Sequence, residues 1–288
     1  MTKTAKFNSA EVSQQEQPPL LPADIIDSRL TLILKEYLQP EEIDLVWKAY
    51  RLSNKAHEGQ KRSSGEDYIS HPVSVACIAA KFHLDAASIQ AALLHDVVED
   101  TQVTLEDIAT QFSPQVAKIV EGLSKLDKIH FNDATHAQAE NFRKMLLAMS
   151  QDVRVILIKL ADRLHNMQTL EFLKPEKRLR IAQETIDIYS PIANRLGLNS
   201  LYQELEDLAF RYIHPLRYKT IHKAILSARG NRKEVVGKIL DDINTKLKGF
   251  KIKATVSGRE KNESSIHRKM IKKHTSFSEV RTWKECSW

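Results

Sequence analysis

Residues 85–101 read DAASIQAALLHDVVEDT, and this stretch decides the fold. Asp85 supplies an N-cap, and the apolar residues that follow surround the predicted helix instead of lining one side, which places it in a core. His95 and Glu99 are four apart, as are Asp96 and Asp100, so the expectation is four ionisable groups on adjoining strips of one helix face. Three carboxylates so close in a low-dielectric interior repel one another and lose hydration, unless a cation or hydrogen-bond donors compensate. A bound metal removes the conflict. The plainer alternative is a hydrogen-bonded His95–Asp96 core pair, with Glu99 and Asp100 facing water.

A second stretch tips the balance toward a site. In DVRVILIKLADRLHNM (152–167) Asp162 and Asn166 stand at i and i+4 on an otherwise strongly apolar segment. By composition VRVILIKLA reads as a buried strand, but its continuation into DRLHNM keeps helical spacing, so a helix is predicted. His71 precedes Pro72 at the expected start of another helix. His71, His95, Asp96 and Asp162 form a mixed nitrogen and oxygen set without thiolate, which suits Mn, Fe, Co, Ni or Zn and argues against a calcium cage or a structural zinc. Such a set lowers the pKa of a bound water and neutralises charge on a phosphoryl group. Glu99 and Asp100 remain to orient or deprotonate that water.

The surrounding words carry a resemblance. AHEGQKRSSGEDYISHPVSVA (56–76), AALLHDVVEDT (91–101), EGLSKLDK (121–128), QAENFRKMLLAMSQDVRVILIKLADRLHNM (138–167), ETIDIYSPIANRLG (184–197) and VSGREK (256–261) resemble the RelA/SpoT homologues among the HD-domain phosphohydrolases, most closely the bifunctional SpoT-type branch. The resemblance covers residues 25–280 or so and implies hydrolysis of the 3′-pyrophosphate of (p)ppGpp with manganese as the ion. It implies metal ligation by His71, His95, Asp96 and Asp162, and water activation by Glu99 and Asp100. It also implies guanine packing by Arg62 and nucleotide contacts by Ser63, Asn166 and Thr169. Members of the family commonly read HNMRTL where this chain has HNMQTL, so Gln168 removes a cation expected near the site.

With 288 residues, 42% hydrophobic and 28% charged, the chain has ordinary globular composition. No apolar run approaches the ~18 residues of a membrane span and no signal core opens the chain, so no membrane partner and a cytoplasmic location are expected. Cys77 and Cys286 suggest no disulfide framework. Residues 1–22 are polar and proline-punctuated and read as disordered. Beyond them the expectation is all-α. Pro40 opens one helix, TLED at 104–107 resembles a capping box, Ser113-Pro114 gives an N-cap and first-turn proline, and Pro175 opens a segment ending at Gly197.

The predicted organisation is a helical HD-type metal-dependent hydrolase domain over 23–200, connecting helices over 201–250, and the start of an α/β synthetase domain over 251–288. KIKATVSGREK reads as a strand and SSIHRKMIKKH as a basic helix. By the same resemblance Arg259, Lys261, Ser265 and Lys269 match ATP-contacting positions of a (p)ppGpp synthetase that is here incomplete, so synthetase activity is not expected. Residues 229–274 hold 14 Lys and Arg against 5 Asp and Glu. With little aromatic interleaving, that charge reads as a solvated face and phosphate-binding segment, not a nucleic-acid or ribosome contact. Regulatory protein partners fit the family. Two other readings stay open: an HD-type enzyme acting on another nucleotide, and a catalytically silent nucleotide-sensing module.

Overall fold

The computed structural model describes residues 23–127, 152–228, 232–250, 254, 256 and 262–276. Among them no strand forms; the one β-type pairing is an isolated bridge between Lys61 and Asp67. Helices α1 (Ala23–Leu34), α2 (Pro40–Ala56), α3 (Ser70–Ala80) and α4 (Ala86–Leu93) come first. After them come α5 (Val97–Asp100), α6 (Leu105–Gln111), α7 (Pro114–Asp127) and α8 (Val153–Gln168).

The expected helix starts are found in place. Pro40 opens α2, where the Gln39 N–H donates to Glu42 at 2.9 Å. Thr104 and Asp107 form a reciprocal capping box on α6. The Val116 N–H donates to Ser113 Oγ at 3.2 Å ahead of α7. VRVILIKLA is helical, as its continuation required.

Helix α3 is the hub. All its residues but Ser74 are buried, and it packs against α1, α4 and α8. Helix α4 lies between α2 and α7. Helices α7 and α8 approach closely at Gly122, where a Cβ would meet Val155 Cγ2 at 2.8 Å. One apolar cluster runs through all of these elements.

Two expectations about helix boundaries are corrected. Helix α3 starts at Ser70, so His71 lies inside its first turn and Pro72 is not the opening residue. The turn before it runs straight into the helix through Ser70 N–H to Asp67 O at 3.1 Å and His71 N–H to Tyr68 O at 3.0 Å. Pro72 is tolerated because first-turn N–H groups have no intrahelical partner. The stretch 85–101 is not one helix either. Asp85 caps it as expected, accepting from Ser88 N–H at 3.1 Å, but the helix stops at Leu93 and the chain turns through Leu94–Asp96 before α5. The His95 ring takes the Ala92 carbonyl through Nδ1 at 2.8 Å, a side-chain bond that competes with the backbone ladder.

After α8, a short 3₁₀ turn (Leu170–Phe172) leads to α9 (Pro175–Glu184), a π-helical turn (Thr185–Tyr189) and α10 (Ser190–Arg195). Gly197 closes the segment with φ of +74°, a conformation in which a side chain is strained. Helix α11 (Asn199–Ile213) packs on α8, α9 and α10, and its Leu201, Leu205 and Ala209 belong to the main core. Its far end starts a second cluster, Phe210 with Ile221 and Ile225 of α12 (Pro215–Ala228) and Ile266 of α14 (Glu263–Lys273). Between these lies α13 (Arg232–Gly249). SSIHRKMIKKH is thus helical as predicted. The expected strand falls almost wholly outside the described residues, as do residues 1–22, Cys286, Arg259 and Lys261; Ala254 and Val256 belong to no regular element.

Candidate metal centre and active site

Three elements bring the candidate ligands to one point. His71 comes from the first turn of α3, His95 and Asp96 from the turn between α4 and α5, and Asp162 from the middle of α8. His71 Nε2 lies 3.2 Å from Asp162 Oδ1 and 3.6 Å from Asp96 Oδ2. His95 Nε2 lies 3.1 Å from Asp96 Oδ1 and 3.9 Å from Asp162 Oδ1. A regular helix through 85–101 would point the adjacent His95 and Asp96 about 100° apart. The turn lets them converge. Asp96 and Asp100 keep a helical bond, Asp100 N–H to Asp96 O at 2.9 Å, whereas no helical register joins His95 to Glu99.

His71, His95 and Asp162 each offer one ligand atom, all within 4.8 Å of one another, and all three residues are buried. His95 Nε2 is sealed from solvent with no group in hydrogen-bonding arrangement around it. Its nearest neighbours are carboxylate oxygens, Asp96 at 3.1 Å and Asp162 at 3.9 Å, a nitrogen and oxygen donor set around which a cation fits. With nitrogen and carboxylate donors and no thiolate, the residues present fit a divalent ion.

Electrostatics follow from the same packing. Burial opposes ionisation of Asp162, but Lys159, His71 and His95 outweigh it and hold the carboxyl well below its usual range. Burial likewise opposes charge on Asp96, which His95 and His71 override downward. For His95 burial works against protonation, but Asp96 prevails and its pKa is raised to about 9. Burial depresses His71 and His165.

Asn166 and several residues not singled out from the sequence complete the shell. Lys159 Nζ donates to Asp162 Oδ2 at 2.8 Å, and Asn166 Nδ2 donates to Asp162 Oδ1 at 2.6 Å. His165 Nδ1 meets His71 Nδ1 at 2.8 Å, so one ring donates and the other accepts. When His71 is the donor, its Nε2 carries the lone pair a metal needs. Tyr68 Oη donates toward Asp96 Oδ2 at 2.7 Å and Asp100 Oδ2 at 3.0 Å; burial and both carboxylates push its pKa far above the usual phenol range. Spacing carried a signal for Lys159 and His165, which stand three residues either side of Asp162. None existed for Tyr68, because its partners come from another segment.

The cluster opens into a cavity of about 530 Å³ whose wall includes Arg62, Ser63, Glu99, Asn166 and Thr169. Arg62 donates to Asn166 Oδ1 at 3.3 Å. Thr169 is buried and its Oγ1 donates to the His165 carbonyl at 3.1 Å. Lys61, Arg62, Lys159, Arg163 and Lys177 give the wall five cationic side chains, and Leu170, Phe172, Leu173 and Ile181 give it an apolar side. Glu99 is exposed on this wall, and Asp100 is exposed beside it. Gln168 is not part of the cavity wall; its Nε2 donates to Glu204 on α11 at 2.7 Å. Ser265 and Lys269 lie on α14, away from the cavity.

A family model described as HD domain matches residues 49–199, the span that holds the candidate metal ligands and the cavity wall. The chain belongs to the HD-domain family. Among relatives of this HD chain, the bifunctional (p)ppGpp synthase/hydrolase SpoT of Escherichia coli K12 is 53% identical over 251 residues, 87% of this chain and 36% of SpoT. A guanosine-3′,5′-bis(diphosphate) 3′-pyrophosphohydrolase of Vibrio cholerae is 51% identical over 248 residues, 86% of this chain and 35% of that one. A GTP pyrophosphokinase of Streptomyces coelicolor is 46% identical over 233 residues, 81% of this chain and 27% of the relative. The HD chain therefore spans about a third of the length of the curated relatives it matches.

Proposed function

We propose that this chain hydrolyses the 3′-pyrophosphate of (p)ppGpp, giving GDP or GTP and pyrophosphate, with Mn²⁺ held by His71, His95, Asp96 and Asp162. The observation that carries the reading is the buried imidazole–carboxylate cluster opening into a cavity lined by five cationic side chains. A polyphosphorylated nucleotide needs both parts. The names of the relatives at about half identity support the same substrate.

A divalent ion in this cluster supplies Lewis-acid polarisation and a water of lowered pKa. The chain supplies the rest. Glu99, on the cavity wall next to the cluster, takes a proton from the attacking water, and Asp100 orients it. The water oxygen bonds to phosphorus as the bond to the 3′ oxygen breaks, and that oxygen leaves with the nucleoside as a hydroxyl, taking a proton from solvent. Arg62 packs against the guanine, while Ser63, Asn166 and Thr169 contact the nucleotide. Lys61 and Lys177 balance phosphate charge at the cavity wall. Lys159 holds Asp162 in one rotamer, so the ligand does not reorganise as substrate enters.

The test is product analysis after incubation of the 288-residue chain with ppGpp and Mn²⁺, together with the Glu99→Gln variant. GDP and pyrophosphate are expected, and Glu99→Gln keeps near-normal metal content while the rate falls on the order of 10²-fold. Release of any other product, or a fully active Glu99→Gln, overturns the assignment of substrate or of base respectively.

A further inference from the structure

Tyr68 stands where the proposed metal ligands and the proposed water-orienting residue meet, and the role assigned to it rests on that reading of the site. Its hydroxyl oxygen is 2.7 Å from Asp96 Oδ2 and 3.0 Å from Asp100 Oδ2. A phenol has one proton, so it serves one of these carboxylates fully at a time.

The ring itself has little freedom. It stacks on His57 with centroids 4.4 Å apart and planes 22° apart, and meets His71 edge-on at 6.2 Å and 84°. His57 is buried, its Nδ1 lies 2.9 Å from Gln60 Oε1, and Gln60 Nε2 donates to the Asp100 carbonyl at 3.3 Å. The ring and the end of α5 thus share one brace, His57–Gln60–Asp100. Rotation of the O–H about its bond to the ring is the freedom that remains.

A cation held by the histidines and Asp162 also draws on the electron pairs of Asp96, which makes Asp96 a poorer acceptor and Asp100 the better one. We propose that Tyr68 is a positioning residue whose hydroxyl turns from Asp96 to Asp100 when a divalent cation binds, fixing the Asp100 carboxylate only in the loaded site. Tyr68 lines the cavity with Arg62 5.9 Å from its ring centroid, and the role of its hydroxyl is exerted through Asp100.

Tyr68→Phe, Asp100→Asn and the double variant test this in the 288-residue chain. Tyr68→Phe keeps the ring stacked on His57 and removes the donor alone. The expected result is a kcat lower by about 10-fold, with KM and Mn²⁺ affinity by calorimetry within about 3-fold of the parent. In the Asp100→Asn background, Tyr68→Phe lowers kcat no further, because both changes remove the same contact. A separate readout does not depend on turnover: Mn²⁺ addition produces a tyrosine ultraviolet difference band in the parent that Tyr68→Phe lacks. Additive losses in the double variant, a collapse of Mn²⁺ affinity in Tyr68→Phe, or a band that persists in it overturns the proposal. Should the parent leave ppGpp intact, the functional reading fails alone, and the presence of the band in the parent and its loss in Tyr68→Phe decide the role of Tyr68.

Discussion

Lys159 and Asp162 form the contact on which the metal-free site depends. Both are buried, with Nζ donating to Oδ2 at 2.8 Å. Removing one partner of a buried ion pair strands the other, at a cost of about 3 kcal/mol or more. Lys159→Met is therefore expected to lower the melting temperature in the presence of a chelator and to recover much of the loss when Mn²⁺ is added, since a cation again faces the carboxylate. Equal melting of variant and parent in chelator sinks this account. At this scale residue chemistry told more than spacing: the structure brings His71, His95, Asp96, Asp162 and Asn166 together, but through a turn at 94–96 and not along the one helix face that spacing implied. Tyr68 and the His71–His165 contact were not legible, because a hydrogen bond between segments 28 and 94 residues apart leaves no local pattern.

At the scale of elements, α7 packs closely on α8, the helix that carries Asp162. Gly122 allows it: an added Cβ would sit 2.8 Å from Val155 Cγ2, and a β-branched side chain cannot swing away cheaply. Gly122→Ala gains about 1 kcal/mol of helix propensity but overpacks by about 1–3 kcal/mol, so a net loss of stability is expected. Adding Val155→Ala to it should restore part of the loss; denaturant unfolding of the three variants checks the order. Helix starts were readable because caps are local chemistry, as at Pro40, Thr104 and Ser113. The break at 94–96 was not, because nothing in LLHDVVED interrupts helical spacing. Its cause is tertiary: His95 and Asp96 have to face α3 and α8 together.

Across the whole molecule, α14 packs on α11 and α12, and a half-buried carboxylate joins it to α11. Asp207 accepts the Ser264 N–H at 3.1 Å; burial raises its pKa to about 6, with Glu263 adding to the shift and Ser264 opposing it. A carboxyl raised above its ordinary value favours the fold while protonated, and that contribution fades as pH climbs from about 4 through about 6. Asp207→Asn keeps an oxygen for Ser264 and cannot ionise. It is expected to be more stable than the parent at pH 7.5, by about 1–2 kcal/mol after solvent screening, and no more stable at pH 4. Thermal unfolding at the two pH values decides it.

The π-helical turn at Thr185–Tyr189 also fixes the phase of everything after it. Arg163 stacks 3.9 Å over the Tyr189 ring and pairs with Glu184 at 2.7 Å, just before Ser190 Oγ donates to Glu206 on α11 at 3.0 Å. A π turn amounts to one residue more than an α turn. Deleting a single residue there would close it into regular helix and rotate the downstream chain by about 100°, carrying Ser190 away from Glu206 and turning the apolar side of α10 out of the core. Length is therefore hereditary information at 185–189, and homologues should keep their residue count there.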